Sequence, residues 1–281
     1  MLVFSSSKSI KDYISTLRKE NSIGFVPTMG ALHLGHLSLI VQAKTENDVV
    51  VVSIFVNPTQ FDKKEDLNKY PRTIEEDLKL LQSVNCDVVF IPSIDEMYED
   101  KITSEHFDFG GIEFEMEGKF RKGHFDGVGT IVKKLFEIVM PQNAYFGEKD
   151  FQQLQIVKKL VEITKLPIKI IGCKIFREKD GLAMSSRNIR LSEEQRKAAP
   201  FIYQTLLDTQ QKFGIINANE IKQWVEEQFV NNEFLKLEYF EIACEDSLKP
   251  ANECQEKKNY RAFIAVFVND IRLIDNIRLG N

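Results

Sequence analysis

The fold of this chain is decided by residues 22–56, SIGFVPTMGALHLGHLSLIVQAKTENDVVVVSIFV. Ser22–Thr28 predicts a first strand and Asp48–Val56 a second one. The Val-rich and Ile-containing character of the second run is typical of a strand that a parallel sheet buries on both faces. His36–Asn47 lies between them and predicts a helix. Together these residues predict a β-α-β unit, which is right-handed in nearly all proteins.

The alternation of strand and helix patterns continues to about residue 172. The further segments are a helix at Thr73–Val84, a strand at Asp87–Pro92, a helix at Gly127–Met140, a strand at Ala144–Phe146, a helix at Phe151–Thr164 and a strand at Ile168–Gly172. Such alternation is typical of an α/β fold with helices on a mostly parallel sheet. The sequence therefore predicts a Rossmann-like, doubly wound parallel sheet.

The pattern changes after residue 176. Long helical patterns are followed by three strand-like runs, in the order Glu193–Lys212, Ala218–Val230, Leu237–Cys244, Tyr260–Val268 and Ile271–Ile277. Helices followed by consecutive strands indicate an α+β arrangement. We therefore predict two domains, a Rossmann-like domain at 1–175 and a smaller C-terminal α+β domain at 176–281.

The composition fits a globular protein and excludes several classes. The 281 residues are 43% hydrophobic and 28% charged, and 37 basic against 42 acidic residues give a net charge of −5. An acidic chain argues against non-specific binding of nucleic acid. The four cysteines, Cys86, Cys173, Cys244 and Cys254, have no zinc-site spacing and predict reduced thiols. No run approaches the ~20 apolar residues of a membrane span, and the N-terminus does not read as a signal peptide, so we expect a cytoplasmic protein.

Two of the four histidines form an H-x-G-H motif directly after the first strand, His33 and His36. Residues three apart share one face of a helix, and the N-terminus of a helix binds anions. Gly30 and Gly35 allow the backbone to turn tightly and to approach a ligand closely. Two imidazoles at this place can donate to phosphate oxygens and stabilise the charge that develops in phosphoryl transfer.

Polar residues follow two further strands. Gln60, in FVNPTQF, offers an amide suited to a hydroxyl or carboxylate of a small polar substrate. The run Gly147–Asp150, GEKD, opens a helix with backbone N–H groups, a lysine suited to phosphate and an acid suited to ribose or metal, and Gln153 lies one turn further on. Downstream, DGLAMSSRN brings two serines and Arg187, whose planar fork suits bidentate contact with phosphate.

The H-x-G-H motif together with the MSSRN segment resembles the nucleotidyltransferase superfamily, in which a K-M-S-K-S-like loop contacts the phosphates. More closely, the chain resembles the pantoate–β-alanine ligase family. PTMGALHxGH, FVNPxQF, YPRT, GHFDGV, YFGEKDxQQL and DGLAMSSRN occur in that family's order and spacing. The resemblance is dense over residues 22–192 and rests on RLSEEQR and RLIDNI beyond them.

The resemblance implies a reaction in two steps with ATP as substrate. Pantoate attacks the α-phosphate to give pantoyl adenylate and pyrophosphate, and β-alanine then attacks the adenylate to give pantothenate and AMP. It implies His36, His33, Lys149 and Arg187 as catalytic residues and Gln60 and Gln153 as the residues that hold pantoate and β-alanine. The residues implied for ATP binding are Met29, Gly30, Ala31, Leu32, His33, Leu34, Gly35, His36, Gly147, Glu148, Lys149, Asp150, Phe176, Met184, Ser185, Ser186 and Arg187.

The resemblance also implies Mg²⁺, which neutralises the departing pyrophosphate, and a homodimer. Glu76 and Asp77, in the TIEEDL helix, are the candidate ligands of the metal. Because a reactive acyl adenylate must be shielded from water, we expect the MSSRN segment to be mobile and to close over ATP, with the C-terminal domain as a lid.

Some residues depart from the family pattern, and two other functions stay open. Thr59, Lys122, Phe151 and Leu34 differ from the family's usual residues, which affects the expected substrate affinity more than the reaction type. The alternatives are another H-x-G-H nucleotidyltransferase and an ATP-binding module without turnover. A tRNA synthetase is disfavoured because there is no anticodon-binding extension and the chain is acidic.

The other two histidines are interpreted separately. His106 is expected to be structural or exposed, and His124 is a candidate for supporting the site from behind the ligand.

Overall fold

The computed structural model describes residues 1–61, 64–98, 101–251 and 258–280. The chain forms two compact units. The first comprises Met1–Glu113, Glu117–Glu148 and Gln153–Lys174, and the second comprises Phe114–Met116, Lys149–Gln152 and Ile175–Asn281. The roles predicted for domains 1–175 and 176–281 stay predictions.

The first unit is built on a six-stranded sheet in which all neighbouring strands are parallel. Its strands are β1 (Leu2–Phe4), β2 (Ile23–Thr28), β3 (Val49–Ile54), β4 (Val88–Phe90), β5 (Asn143–Gly147) and β6 (Lys169–Cys173). The order across the sheet is β1-β4-β3-β2-β5-β6. The chain therefore adds β3 and β4 on one side of β2 and then β5 and β6 on the other, which is the doubly wound order that was predicted.

Helices flank this sheet. They are α1 (Ser7–Leu17), α2 (Leu34–Glu46), α3 (Lys64–Lys69), α4 (Ile74–Ser83), α5 (Ile94–Met97), α6 (Glu117–Phe120), α7 (His124–Val139) and α8 (Phe151–Thr164). The strand core of the unit is mostly apolar: Val50, Val52 and Val89 are completely buried. Such burial on both faces explains the high valine content of these strands. The short strand β1 and the helix α1 have no counterpart in the sequence prediction.

The second unit contains an antiparallel sheet in the order β7 (Lys236–Cys244), β8 (Tyr260–Val268), β9 (Ile271–Leu279). Three helices accompany it, α9 (Glu193–Ala198), α10 (Phe201–Lys212) and α11 (Ala218–Val230). One face of the sheet and the apolar sides of α10 and α11 form a common core that includes Leu206, Ile221 and Ile264. The α+β character predicted for this part of the chain is confirmed.

One predicted helix was wrong. Glu193–Lys212 is two helices rather than one, because α9 ends at Ala198 and α10 begins at Phe201. Pro200 stands between them, and a proline inside a helix lacks the N–H donor and clashes with the preceding turn. It is tolerated here because it occupies the N-cap position of the second helix.

The cysteines Cys86, Cys173 and Cys244 are buried free thiols, as predicted, and Cys254 lies outside the described residues. Burial raises the pKa of Cys86 and of Cys173 to about 12. Within the described residues, none of the helices has the length and apolar character that crossing a bilayer requires.

Candidate functional site

The H-x-G-H motif lies at the point where the strand order of the sheet reverses. β2 pairs with β3 on one side and with β5 on the other, all in parallel. Open α/β sheets bind ligands outside the carboxyl ends of their strands at this point. The loop after β2 carries His33, and the end of β5 carries Gly147, so both predicted ATP-binding segments of this unit leave the sheet at the expected edge.

The loop between β2 and α2 is held in an unusual backbone conformation. Gly30 and Ala31 both have positive φ, 80° and 49°. Asp77, buried in the first turn of α4, accepts hydrogen bonds from the N–H groups of Ala31 at 3.0 Å and Leu32 at 2.7 Å. A Cβ on Gly30 would lie 3.0 Å from the same carboxylate. Asp77 therefore fixes the loop by its charge, and Gly30 leaves the room that this requires.

The side chains of His33 and His36 cap the N-terminus of α2. The N–H of Gly35 donates to Nδ1 of His33 at 3.2 Å, and the N–H of His33 donates to Nδ1 of His36 at 3.3 Å. A ring nitrogen that accepts a hydrogen bond carries no proton, so the neutral rings are protonated at Nε2. The ring centroids lie 4.1 Å apart. Two imidazoles thus lie side by side at the helix start, and an Nε2–H group is a donor of the kind that suits a phosphate group.

Gln60 ends a short turn that several side chains immobilise. Its Oε1 accepts from Nδ2 of Asn57 at 3.2 Å, and the same Nδ2 donates to the carbonyl of Gly127 at 3.0 Å. The hydroxyl of Tyr98 donates to Oδ1 of Asn57 at 2.6 Å. Burial raises the pKa of Tyr98, which keeps this hydroxyl protonated. Asn57 therefore connects the turn both to α7 and to the end of α5.

The start of α7 supports the same turn from the other side. Nδ1 of His124 lies 2.8 Å from the carbonyl oxygen of Gln60, and its Nε2 lies 3.1 Å from Nη1 of Arg121. Since arginine is always a donor, Nε2 accepts and Nδ1 carries the proton that it donates to Gln60. A Cβ on Gly127 would lie 2.4 Å from the carbonyl oxygen of Thr59, so the GHFDGV motif is where helix and turn touch through their backbones.

The remaining predicted residues of this unit lie at the ends of the same elements. Met29 follows β2 and accepts the Nε2–H of Gln60 through its sulfur at 2.9 Å. Leu34 is 54% exposed, so its difference from the family's usual residue carries no packing cost. Glu148 follows Gly147, and Gln153 is half-buried in the first turn of α8.

The second unit carries the other predicted phosphate-binding segment. A β-bridge joins Arg177 to Ala183, and the N–H of Met184 donates to the carbonyl of Phe176 at 3.0 Å, so residues 176–184 form a narrow loop. The serines follow it, and Ser185 Oγ accepts from the N–H of Arg187 at 3.2 Å. Ser186 and Arg187 are half-buried.

Lys149 and Asp150 lie in a short turn of the second unit before α8. The carbonyl of Lys149 accepts from Nδ2 of Asn276 at 2.9 Å. Phe151, which follows, packs its ring against Phe263 with the centroids 5.9 Å apart. The departure from the family's usual residue at position 151 is therefore accommodated in an aromatic contact.

The candidate metal ligands, Asp77 and Glu76, stand in the first turn of α4 and stay a prediction. Both oxygens of Asp77 accept hydrogen bonds from the loop after β2, and Glu76 is exposed on the next position of α4. Among the described residues, no three His, Cys, Asp or Glu side chains converge as an all-protein metal cage would require, whereas Mg²⁺ that enters with ATP is usually bound by only one or two carboxylates and by phosphates. The structure thus gives Asp77 a role that the sequence did not suggest, that of holding the H-x-G-H loop.

Sequence reasoning missed Asn57 and Tyr98 as supports of Gln60. Asn57 carried a signal, because an Asn before Pro in a short polar turn commonly bonds its own backbone. Tyr98 carried none, since its partner lies 41 residues away in the chain.

The comparison with known proteins decides the family. The family model of pantoate-beta-alanine ligase matches residues 2–278. The chain belongs to the pantoate–β-alanine ligase family. The predicted resemblance, extended here to nearly the whole chain, is confirmed, and with it the prediction that the chain is an enzyme of the ligase class.

Individual members of the pantoate–β-alanine ligase family agree along the full length. The pantothenate synthetase of Christiangramia forsetii is 55% identical over 283 residues, which is 100% of both chains. The crystal structure of pantothenate synthetase from Thermus thermophilus matches with a TM-score of 0.92 at 39% identity and 100% coverage of both chains. The pantoate-beta-alanine ligase from Francisella tularensis, complexed with beta-gamma ATP and beta-alanine, matches with a TM-score of 0.83 at 38% identity, over 99% of this chain and 97% of that one. The predicted fold class is confirmed.

Proposed function

We propose that this chain condenses (R)-pantoate with β-alanine to pantothenate, with ATP converted to AMP and pyrophosphate through a pantoyl-adenylate intermediate. The observation that carries the proposal is the pair of imidazoles at the start of α2, His33 and His36, at the strand-order reversal of the sheet in a chain of this family. The Francisella tularensis relative, crystallised with beta-gamma ATP and beta-alanine, supports the choice of substrates.

In the first step a pantoate carboxylate oxygen attacks the α-phosphorus of ATP. A phosphorus–oxygen bond forms to pantoate, and the bond between the α-phosphorus and the bridging oxygen breaks, so pyrophosphate leaves with the electron pair. Charge accumulates on phosphate oxygens, and fixed donors stabilise it. We assign this role to the Nε2–H groups of His33 and His36 and to the cations of Lys149 and Arg187.

In the second step the amine of β-alanine attacks the acyl carbon of the adenylate. A carbon–nitrogen bond forms, the carbon–oxygen bond to AMP breaks, AMP leaves with the electron pair, and the nitrogen releases one proton to water. We assign the orientation of pantoate and β-alanine to the amides of Gln60 and Gln153. The rigid turn around Gln60 supports this assignment, because a group that is held in place loses little freedom when substrate binds.

The remaining predicted residues are proposed to line the ATP site. Residues 1–175 would bind the nucleotide and pantoate, and residues 176–281 would act as the lid that carries the MSSR loop. The residues proposed to contact ATP besides the four catalytic ones are Met29, Gly30, Ala31, Leu32, Leu34, Gly35, Gly147, Glu148, Asp150, Phe176, Met184, Ser185 and Ser186.

We propose that Mg²⁺ enters with the ATP substrate, because Mg²⁺ is usually bound through substrate phosphates and one or two carboxylates. The exposed Glu76 stays the candidate carboxylate, since both oxygens of Asp77 already accept hydrogen bonds from backbone N–H groups. Cytoplasmic action is supported by ATP being a substrate. The homodimer stays a prediction from family resemblance, which size-exclusion chromatography with light scattering tests.

A product assay with ATP, Mg²⁺ and D-pantoate, with and without β-alanine, tests the proposed function. AMP and pantothenate in equal amounts, formed only with β-alanine, support it. His36→Ala should lower kcat by a factor on the order of 10²–10³, the usual loss when one donor to a developing charge is removed. His106→Ala is the matched control, because that imidazole is exposed and hydrogen-bonds Asp126 on α7. Pyrophosphate release that ignores pantoate would point to another nucleotidyltransferase, and ATP binding without turnover to a binding module.

A further inference from the structure

Strand β9 carries a carboxylate on the face of the sheet that is otherwise apolar. Residues of one face alternate along a strand, so Asp275 shares its face with the buried Ile271, Leu273 and Leu279. It pairs across the sheet with Ile264, which is completely buried. A carboxylate in such a place requires a charged partner and hydrogen bonds.

Arg177 provides that partner and reaches further. Its guanidinium contacts Asp275 at 2.6 and 3.0 Å through two parallel hydrogen bonds. It also donates to the carbonyl of Gly181 at 3.0 Å and stacks on the ring of Tyr203 at 3.6 Å. Gly181 lies at the tip of the 176–184 loop that leads into the MSSR segment. Asp275 therefore orients the arginine that is hydrogen-bonded to the tip of this loop.

The opposite face of β9 holds the other proposed phosphate-binding segment. Asn276 is 1% exposed, and its Nδ2 donates to the carbonyl of Lys149 at 2.9 Å. Its Oδ1 accepts from Nη1 of Arg261 at 2.6 Å. That guanidinium is 3.9 Å from the ring of Phe151 and donates to Glu245 at 2.9 Å, so both ends of the Lys149–Phe151 turn are anchored to β8 and β9.

Neighbouring residues of a strand point to opposite faces, so Asp275 and Asn276 lie on different faces of β9. We propose that Asp275 and Asn276 are positioning residues for the phosphate-binding groups: Asp275 sets the MSSR loop through Arg177, and Asn276 sets Lys149 directly. The buried dipeptide keeps the two segments in a fixed register within the second unit, although neither residue needs to touch ATP. This inference rests on the proposed function, because it takes Lys149 and Arg187 to contact the phosphates.

Two variants test the two faces separately. Asn276→Asp keeps the oxygen that accepts from Arg261 but removes the N–H group that donates to the carbonyl of Lys149. Arg177→Lys keeps a positive charge beside Asp275 but cannot bond the carboxylate and Gly181 together as the fork does. Glu238→Gln is the matched control: Glu238 pairs at 2.5 Å with Arg272 on the same strand as the dipeptide, with side-chain exposures of 15% and 18%, and reaches neither segment.

We expect each variant to lower kcat/KM for ATP on the order of 10-fold, since small displacements of a positioning contact have large effects on rate. KM for β-alanine should stay within about twofold of wild type, whereas a loss of folded enzyme would lower kcat alone. In a Lys149→Ala background, Asn276→Asp should have almost no further effect, because the two residues act as one unit.

Four outcomes separate the possibilities. An unchanged kcat/KM for ATP in both folded variants overturns the inference while the wild-type product assay still supports the ligase. An equal loss in Glu238→Gln also overturns it, since the effect would then be general to the strand. If Asn276→Asp does not fold, Arg177→Lys decides alone. A wild-type chain that makes no pantothenate refutes the proposed function instead, and ATP affinity measured by calorimetry then tests the positioning role.

Discussion

Replacing Gly127 by alanine should damage substrate binding far more than stability. Gly127 lies in the first half of α7, where the helix meets the backbone of the turn that ends at Gln60. An added Cβ would be 2.4 Å from the carbonyl oxygen of Thr59 and 2.9 Å from the backbone nitrogen of Gln60. Ordinary contact begins at 3.4 Å, so the turn would have to move by about 1 Å.

The two energetic effects of this substitution oppose each other in the folded protein. Overpacking against a backbone costs about 1–3 kcal/mol. Alanine in a helix recovers about 1 kcal/mol relative to glycine. The protein should therefore stay folded, while a displacement of about 1 Å at Gln60 lowers kcat/KM for pantoate on the order of 10²-fold.

Gly129→Ala provides the matched control. In the same helix, its Cβ would meet the rings of Phe107 and Phe109 at 2.9–3.0 Å and would not approach the turn. We expect similar melting temperatures for the two variants and near wild-type kcat/KM for Gly129→Ala, measured by pantoate titration at saturating ATP and β-alanine. Equal losses in both, or an active Gly127→Ala, would refute the reasoning.

Three further predictions concern groups away from that turn. Asp77→Asn removes a charged acceptor that two backbone N–H groups share. We therefore expect a stability loss of about 1–3 kcal/mol by urea unfolding and a higher KM for ATP. If added Mg²⁺ restored the KM for ATP, Asp77 would be a metal ligand instead. The hydrogen bond to Asp126 raises the pKa of His106 above 6.5. Wild type should therefore gain stability over His106→Gln below pH 6.5 and lose that gain as pH rises through the folded-state pKa; unfolding at several pH values tests this, and a gain that grows with pH contradicts it. Cys86 and Cys173, buried with pKa values of about 12, should resist alkylation at neutral pH until the chain unfolds, as peptide mass spectrometry would show.

Much of the fold follows from periodicity. The helices at Phe151–Thr164 and Ala218–Val230 and the strand at Tyr260–Val268 have the predicted bounds. Their patterns are long and uninterrupted, so local preference and burial agree. The single helix predicted at Glu193–Lys212 ignored Pro200, although that residue was a visible signal.

The supports of the candidate site were harder to predict, because they depend on burial and on contacts that are distant in sequence. Asp77 stands in an acidic first turn, which is also the ordinary pattern of a solvated helix face, and only the structure places it under the loop after β2. Asp275 is similarly a charged residue within a strand pattern. A sequence shows that such a residue breaks the alternation, but the arginine that compensates it lies 98 residues away.

The imidazole cap of α2 sets a limit on engineering this protein for heat resistance. Asp, Asn and Ser are the preferred residues at the start of a helix, and a designer who optimises helix ends would replace His33. Aspartate there would satisfy the backbone better and would also place a negative charge where the proposed site receives phosphate. The helix start is therefore kept below its attainable stability, and thermostable variants of this chain should be sought in substitutions that leave this histidine unchanged.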